Sequence, residues 1–334
     1  MKALVLTGVK QFEIEDRPTP ALKAGEVLIN TAYAGVCGTD HDLYAGRPGS
    51  ASAVPPIVLG HENSGVVEAI GEGVTNVKPG DRVAVDPNIY CGQCEYCLTQ
   101  RPELCDSLSA VGVTRDGGLE EQFTAPATVV YKLPDAVSLK DAATIEPISC
   151  AVHGVDLLDI HPYQKALVIG DGFMGQLFVQ ILQAYGIHQV DFAGLFDEKL
   201  ELNQRLFNVK NIFNTNKVSI PENEYDIVIE AVGLPQTQHS AVLATKKGAQ
   251  VLMFGVGAQE ASFEMNTYDI YKKQLTIQGS FINPLTFKDA ISLLESGKVD
   301  VDPLISHEFK LEDVQDFLDG KIEGVSKAVV KVGK

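Results

Sequence analysis

The feature that most restricts the fold is a glycine-rich turn, Gly170-Asp171-Gly172-Phe173-Met174-Gly175, set between two apolar runs at 166–170 and 172–185. The first run has the length of a buried strand. In the second, Leu177, Ile181, Leu182 and Tyr185 recur at helical spacing. A strand that passes through G-x-G-x-x-G into a helix has a specific physical use. The first glycine permits the tight turn, the second lets a pyrophosphate approach the backbone, and the third lets helix and strand pack closely. The helix N-terminus, with Phe173 and Met174 in its first turn, presents its N–H groups to the phosphates.

The residues that follow repeat the alternation. Strands are predicted at 189–193, 226–231 and 250–254, with helices at 197–207 and 237–246. Strands alternating with helices predict a parallel sheet covered on both faces. Before this region, up to about residue 145, the chain reads as β-rich, with runs at 3–6, 26–33, 65–70 and 82–85. Gly and Pro punctuate them, as in Lys78-Pro79-Gly80-Asp81. A helix is predicted to start near Thr39, a good N-cap residue. Beyond residue 281 come a helix at 287–296, a strand at 307–310, a helix at 311–318 and a strand at 327–332. The fold class is α/β.

The length of 334 residues suggests about two domains. With 27 Lys+Arg against 44 Asp+Glu the net charge is −17, which argues against a nucleic-acid partner. No run approaches the roughly 18–20 apolar residues of a membrane span. Residues 1–6 are apolar, but Lys10, Glu13, Glu15 and Asp16 follow too soon for a secretory signal. The expected location is the cytoplasm.

The cysteines are Cys37, Cys91, Cys94, Cys97, Cys105 and Cys150. The spacing Cys91-x2-Cys94-x2-Cys97-x7-Cys105 suits a closed tetrahedral Zn²⁺ site, which holds the metal structurally; the alternative is four unliganded thiols. A second set is scattered: Cys37, the pair His61-Glu62, and Glu146. A thiol, an imidazole and one or two carboxylates suit an open Zn²⁺ site. Spacing alone does not assemble them, and a surface pair or satisfied core residues remain the alternative.

Together these segments resemble the zinc-dependent medium-chain dehydrogenase/reductases, in particular the sorbitol- and arabinitol-type polyol dehydrogenases. The resemblance rests on Cys37-Gly38-Thr39-Asp40, on Gly60-His61-Glu62-x2-Gly65-x5-Gly71, on the cysteine lobe, on Glu146-Pro147 and on the nucleotide loop, all in the family's order. It covers essentially the whole chain. It implies a GroES-like β-rich catalytic domain at 1–146 with a zinc lobe at 88–108. A Rossmann NAD(P)-binding domain with a doubly wound parallel sheet would follow at 147–283, and residues 284–334 would return to the catalytic domain. The active site would lie in the cleft between the domains. Two Zn²⁺ ions per chain are implied. The catalytic ion would take Cys37 and His61, with Glu62 or Glu146 as the remaining protein ligand, and the structural ion would take the four clustered cysteines. Asp40 resembles the carboxylate that orients the zinc-bound histidine; its other reading is a helix-start aspartate. Zinc would acidify the substrate hydroxyl, Thr39 would receive its proton and pass it through the cofactor ribose, and hydride would go to NAD or NADP. Thr39 also reads as a simple cap.

By the same resemblance the substrate is a secondary alcohol. Asp86-Pro87-Asn88, and Glu146-Pro147 followed by His153-Gly154, resemble the polyol branch. A threonine-type amino alcohol is the alternative substrate, and a non-catalytic zinc- or nucleotide-binding protein is the alternative function. A homodimer or homotetramer is implied. The chain departs from the family pattern in three places. The position of the usual relay histidine holds Asp42, with His41 one residue earlier. Gly279-Ser280-Phe281 is followed by Ile282-Asn283-Pro284 where sorbitol dehydrogenases carry a polyol-binding arginine, leaving Asn283 as a candidate for a substrate hydroxyl. The end of the second Rossmann strand holds Gly194 where NAD-selective members carry an acid. An arginine that would bind a 2′-phosphate is missing two residues on, at Phe196. The nearest cations are Lys199 and Arg205, with Asp197 also in reach. The sequence therefore predicts weak discrimination with NADP tolerated, and a shift toward NAD in Gly194→Asp.

Overall fold

The computed structural model describes residues 1–333. The chain divides into two compact units. The first gathers Met1–Ser149, Ile282–Glu295 and the residues from Val301 onward; the second holds Cys150–Phe281 and Ser296–Asp300.

The first unit contains strands Lys2–Gly8 (β1), Gln11–Asp16 (β2), Glu26–Val36 (β3), Ile57–Val58 (β4), Glu62–Ile70 (β5), Arg82–Val85 (β6), Asn88–Ile89 (β7), Ser109–Ala110 (β8), Gln122–Pro126 (β9) and Val130–Lys132 (β10). The second contains Lys165–Ile169 (β11), Gln189–Gly194 (β12), Ile212–Asn214 (β13), Tyr225–Glu230 (β14), Thr245–Met253 (β15) and Thr276–Gly279 (β16). The chain then returns to the first unit with His307–Phe309 (β17) and Ala328–Lys331 (β18).

In the first unit a seven-stranded sheet runs β10-β6-β5-β3-β18-β17, with β9 also paired to β3. One core packs Val27, Ile29, Val67, Val83 and Phe123. A second packs Ala34, Val36, Leu59, Phe309 and Val330. The register of this sheet builds the site. β3 and β5 are antiparallel with Gly35 opposite Glu62. β18 is antiparallel to β3 on the other side, with Ala328 opposite Val36. Cys37 therefore leaves β3 at the sheet end where His61 enters β5 and Lys327 enters β18.

The second unit holds a six-stranded sheet of order β13-β12-β11-β14-β15-β16, parallel throughout. The chain starts in the middle of this sheet and winds outward in both directions. Right-handed crossovers, the rule for parallel strands joined by helices, would place helices on both faces of a sheet of this order. Leu167, Ile169, Val228, Ala241 and Val251 fill the core. The predicted α/β class, with a β-rich unit and a doubly wound parallel sheet, is the fold observed.

Several elements differ from the sequence reading. The first helix, Gly38–Tyr44, is capped at Cys37, two residues before the predicted cap Thr39. The helix predicted to 246 ends at Ala244, where the chain passes directly into β15. Strands β13 and β16 and the helices Ile145–Asp156 and Thr267–Lys273 lie outside the predicted elements. Both strands end the sheet, so their residues are only partly covered and carry no apolar run that would mark them.

Candidate active site

The donor set at the end of β3 is assembled by register and locked by one carboxylate. Ligand atoms of Cys37, His61 and Glu62 lie within 4.8 Å of one another. Cys37 is half-buried, His61 is 5% exposed and Glu62 is fully buried. Gly35 is required here, because a side chain at that position would occupy the place of the Glu62 carboxylate. Asp40 is buried and works in two directions. Its Oδ2 accepts the backbone N–H of Cys37 at 2.9 Å, closing the helix start, a contact of a type worth ~1 kcal/mol. Its Oδ1 faces His61 Nδ1 at 3.4 Å. Both of the contacts expected of Asp40 are present: the helix-start hydrogen bond to Cys37 and a charge contact with His61. Burial disfavours a charged His61 ring, but Asp40 outweighs it and holds the imidazole pKa well above its ordinary value. An imidazole oriented through Nδ1 by a carboxylate, with Nε2 left as donor, is the usual metal-binding arrangement.

Lys327 completes the surroundings and was missed in the sequence. It is 5% exposed, and its Nζ donates to Glu62 Oε2 and, at 3.1 Å, to the carbonyl of Val36. Burial works against the ammonium, yet Glu62, Cys37 and Glu146 hold its pKa above the ordinary value. Glu62 Oε1 is buried with no hydrogen bond. A buried carboxylate with one oxygen neutralised and one unpaired, beside a thiol and an imidazole, fits a divalent cation. The signal for Lys327 was a single lysine directly before the apolar Ala328-Val329-Val330.

The other predicted residues of this unit are placed as follows. Thr39 is half-buried, with its Oγ1 4.0 Å from Cys37 Sγ. Glu146 is buried at the start of the helix Ile145–Asp156, but it is not one of the three clustered donors. Asp42 accepts two hydrogen bonds from Arg47, at 2.9 Å from Nε and 2.6 Å from Nη2. The Asp42 carboxylate is thus turned toward Arg47 in a largely exposed ion pair. His41 packs edge-on against Phe317. Asn283 is fully buried, with its Oδ1 2.5 Å from Asn88 Nδ2 and its Nδ2 3.1 Å from Ser149 Oγ. Its amide is consumed inside the protein, and the expectation of a bond to substrate is corrected.

In the cysteine lobe the four Sγ atoms of Cys91, Cys94, Cys97 and Cys105 also lie within 4.8 Å of one another. Cys91 and Cys97 stand 3.9 Å apart, far beyond the ~2.05 Å of a disulfide. Backbone N–H groups point at the sulfurs, from Cys91 to Cys105 and from Cys94 to Cys91, each at 3.3 Å. Backbone donors of Cys97 and Asp106 lower the Cys94 thiol pKa, whereas burial raises that of Cys97. Four sulfur donors at this spacing would fill the coordination of a tetrahedral ion and leave it no open position.

The nucleotide loop of the second unit has the features its glycines predict. Gly170 adopts φ +125°, and a side chain on Gly175 would strike the carbonyl of Gly170. Gly172 is exposed with open space above it, at the N-terminus of the helix Phe173–Ala184. Phe173 is buried in the first helical turn and Met174 half-buried. At the end of β12, Gly194 is buried, and Lys199 Nζ lies 5.1 Å from the Phe196 ring centre.

Residues 23–135 match the family model of the alcohol dehydrogenase GroES-like domain, and residues 174–296 that of the zinc-binding dehydrogenases. The chain is 34% identical to D-xylulose reductase A of Aspergillus oryzae over 94% of its own length and 91% of the relative's. The chain belongs to the zinc-dependent medium-chain dehydrogenases. Solved members share its fold. A zinc-binding dehydrogenase from Sinorhizobium meliloti, bound to NADP, is 29% identical with a TM-score of 0.94, covering 99% of this chain and 98% of that one. Galactitol-1-phosphate dehydrogenase from Escherichia coli is also 29% identical, with a TM-score of 0.89 over 99% and 100% of the two chains. This dehydrogenase is thus an oxidoreductase of the alcohol and polyol class that uses zinc and NAD(P).

Proposed function

We propose that the dehydrogenase oxidises a secondary hydroxyl of a polyol or sugar alcohol, and reduces the matching ketone, with Cys37, His61 and Glu62 holding the catalytic zinc. The observation that carries this is the buried cluster of those three donors, backed by Asp40 and Lys327. The relatives support the substrate class, since one is a D-xylulose reductase and another a galactitol-1-phosphate dehydrogenase. Bound zinc supplies a Lewis acid that lowers the pKa of a substrate hydroxyl. Asp40 keeps His61 in one ring orientation and tautomer. Lys327 neutralises one oxygen of Glu62 and leaves the other for the ion. Thr39, beside Cys37, relays the hydroxyl proton: its Oγ1 accepts that proton while its own O–H proton is released onward to solvent. Phe173 and Met174 at the helix start, with the glycines of the loop, would hold the pyrophosphate of NAD(P), which would supply the hydride acceptor. The four clustered cysteines hold a second, structural zinc.

The test is a screen of polyols, polyol phosphates and simple secondary alcohols with both cofactors, followed by nicotinamide absorbance. Turnover on a polyol or its phosphate, lost on zinc removal and regained on zinc addition, is expected. Activity confined to simple alcohols would refute the substrate assignment.

We further propose a homo-oligomer, a dimer or tetramer. β16 ends the six-stranded sheet, and Tyr268, Tyr271 and Val256 of the same unit are exposed. An unpaired sheet edge is a ready surface for pairing with a second copy. Solution scattering that gives a monomer would overturn it. No helix of the described residues is long and apolar enough to cross a membrane. Five of the six cysteines fall in the two donor groups rather than in bridges, which supports a reducing location, the cytoplasm.

A further inference from the structure

The end of β12 lacks a side chain where sheets of this order place the carboxylate that binds the adenosine ribose. Gly194 is that position, and its space is already taken. A Cβ on Gly194 would stand 2.5 Å from the Cβ, Cγ and Oδ2 atoms of Asp171. Asp171 comes from the glycine-rich loop, between Gly170 and Gly172, and is 9% exposed. Its Oδ2 accepts the backbone N–H of Leu195 at 2.7 Å and of Phe196 at 2.8 Å. Its Oδ1 accepts no hydrogen bond among the described residues. The carboxylate missing from the strand has been supplied by the loop beside it.

We propose that Asp171 sets cofactor choice: it presents Oδ1 to the ribose hydroxyls and excludes a 2′-phosphate, so the enzyme is selective for NAD(H). The inference rests on the nucleotide-binding reading of the second unit. Ribose hydroxyls are donors and match a free carboxylate oxygen. A 2′-phosphate is an anion and needs donors. The two amides at the end of β12 are donors of the right kind, but both already serve Asp171. A phosphate placed there would displace that carboxylate or lie against it. The neighbouring cations do not offset this. Lys217 is paired with Asp197, which also accepts from Asn214 at 2.7 Å, and Lys199 lies against the Phe196 ring. The weak discrimination read from Gly194 alone is therefore replaced by NAD selectivity. The Gly194→Asp change, expected from sequence to create that selectivity, would instead collide with the residue that provides it.

The test measures binding of NADH and NADPH to the zinc-loaded enzyme by nicotinamide fluorescence. Competition by 5′-ADP and 2′,5′-ADP reports the adenosine end alone. Wild type should bind NADH on the order of 100-fold more tightly than NADPH, because like charges at close range are strongly unfavourable. Asp171→Asn keeps the shape and removes the charge, and should narrow that ratio by about tenfold or more. Asp171→Ser should do the same, which covers a failure of the first variant to fold. Joining Asp171→Ala to Gly194→Asp returns the carboxylate to the strand and should restore the preference. Equal binding of NADH and NADPH by wild type would overturn the proposal. So would an equal loss of both in the Asp171 variants, the result of a purely structural clasp. If neither dinucleotide nor either ADP binds, the nucleotide-binding reading fails and the inference with it.

Discussion

The cysteine lobe draws all four donors from one short segment, Cys91 to Cys105, whereas the Cys37, His61 and Glu62 cluster is made by the register of separate strands. The lobe needs only backbone N–H groups around its sulfurs. The second cluster is surrounded by charge: Asp40 behind His61, and Lys327 against Glu62. A closed ring of identical donors satisfies a metal and ends there. A mixed set with a neutralised carboxylate keeps a position and a polarity for substrate. On the proposed reading the contrast separates a site that holds the fold from a site that performs chemistry, and it can be tested from both sides.

The largest effect is expected from Cys37→Ser, which should abolish turnover while the thermal melt stays close to wild type. A melt lowered as much as that of a lobe variant would erase the contrast. Thr39→Ala should reduce kcat by about 10²–10⁴-fold, the usual worth of a positioned proton transfer, without weakening cofactor binding. Wild-type turnover would remove Thr39 from the proton path. Asp40→Asn is expected to lower zinc affinity at the catalytic cluster by about 10–100-fold, as partners of metal-bound histidines typically do. Competition with a chromophoric chelator measures it, and the lobe zinc should be unaffected. The smallest catalytic effect belongs to Cys94→Ser. The melting temperature should fall, and the folded fraction should keep its kcat. A kcat that falls with the melt unchanged would assign chemistry to the lobe.

The lobe and the nucleotide loop were legible because each is local. Cys91 to Cys105 and Gly170 to Gly175 carry their geometry in spacing alone. The catalytic cluster was legible only by family resemblance, since nothing in the spacing of Cys37 and His61 states that Gly35 faces Glu62. Lys327 was invisible because its role depends on the pairing of β18 with β3, at the far end of the chain. Asn283 failed in the opposite way. It lies one residue beyond the position where the resemblance places a substrate-binding arginine, and Asn88 and Ser149 take its amide. At Gly194 the sequence shows a missing side chain, and only the structure shows that Asp171 of the neighbouring loop occupies its space.

Stepwise zinc extraction tests the two-role account most directly. Freshly prepared enzyme is titrated with a chelator while released zinc, turnover and the melting temperature are followed on the same samples. The account predicts two zinc ions per chain. Loss of one should remove all activity with little change in the melt, and loss of the other should lower the melting temperature. A single zinc in fully active enzyme, or activity and stability falling together with every ion released, would contradict it.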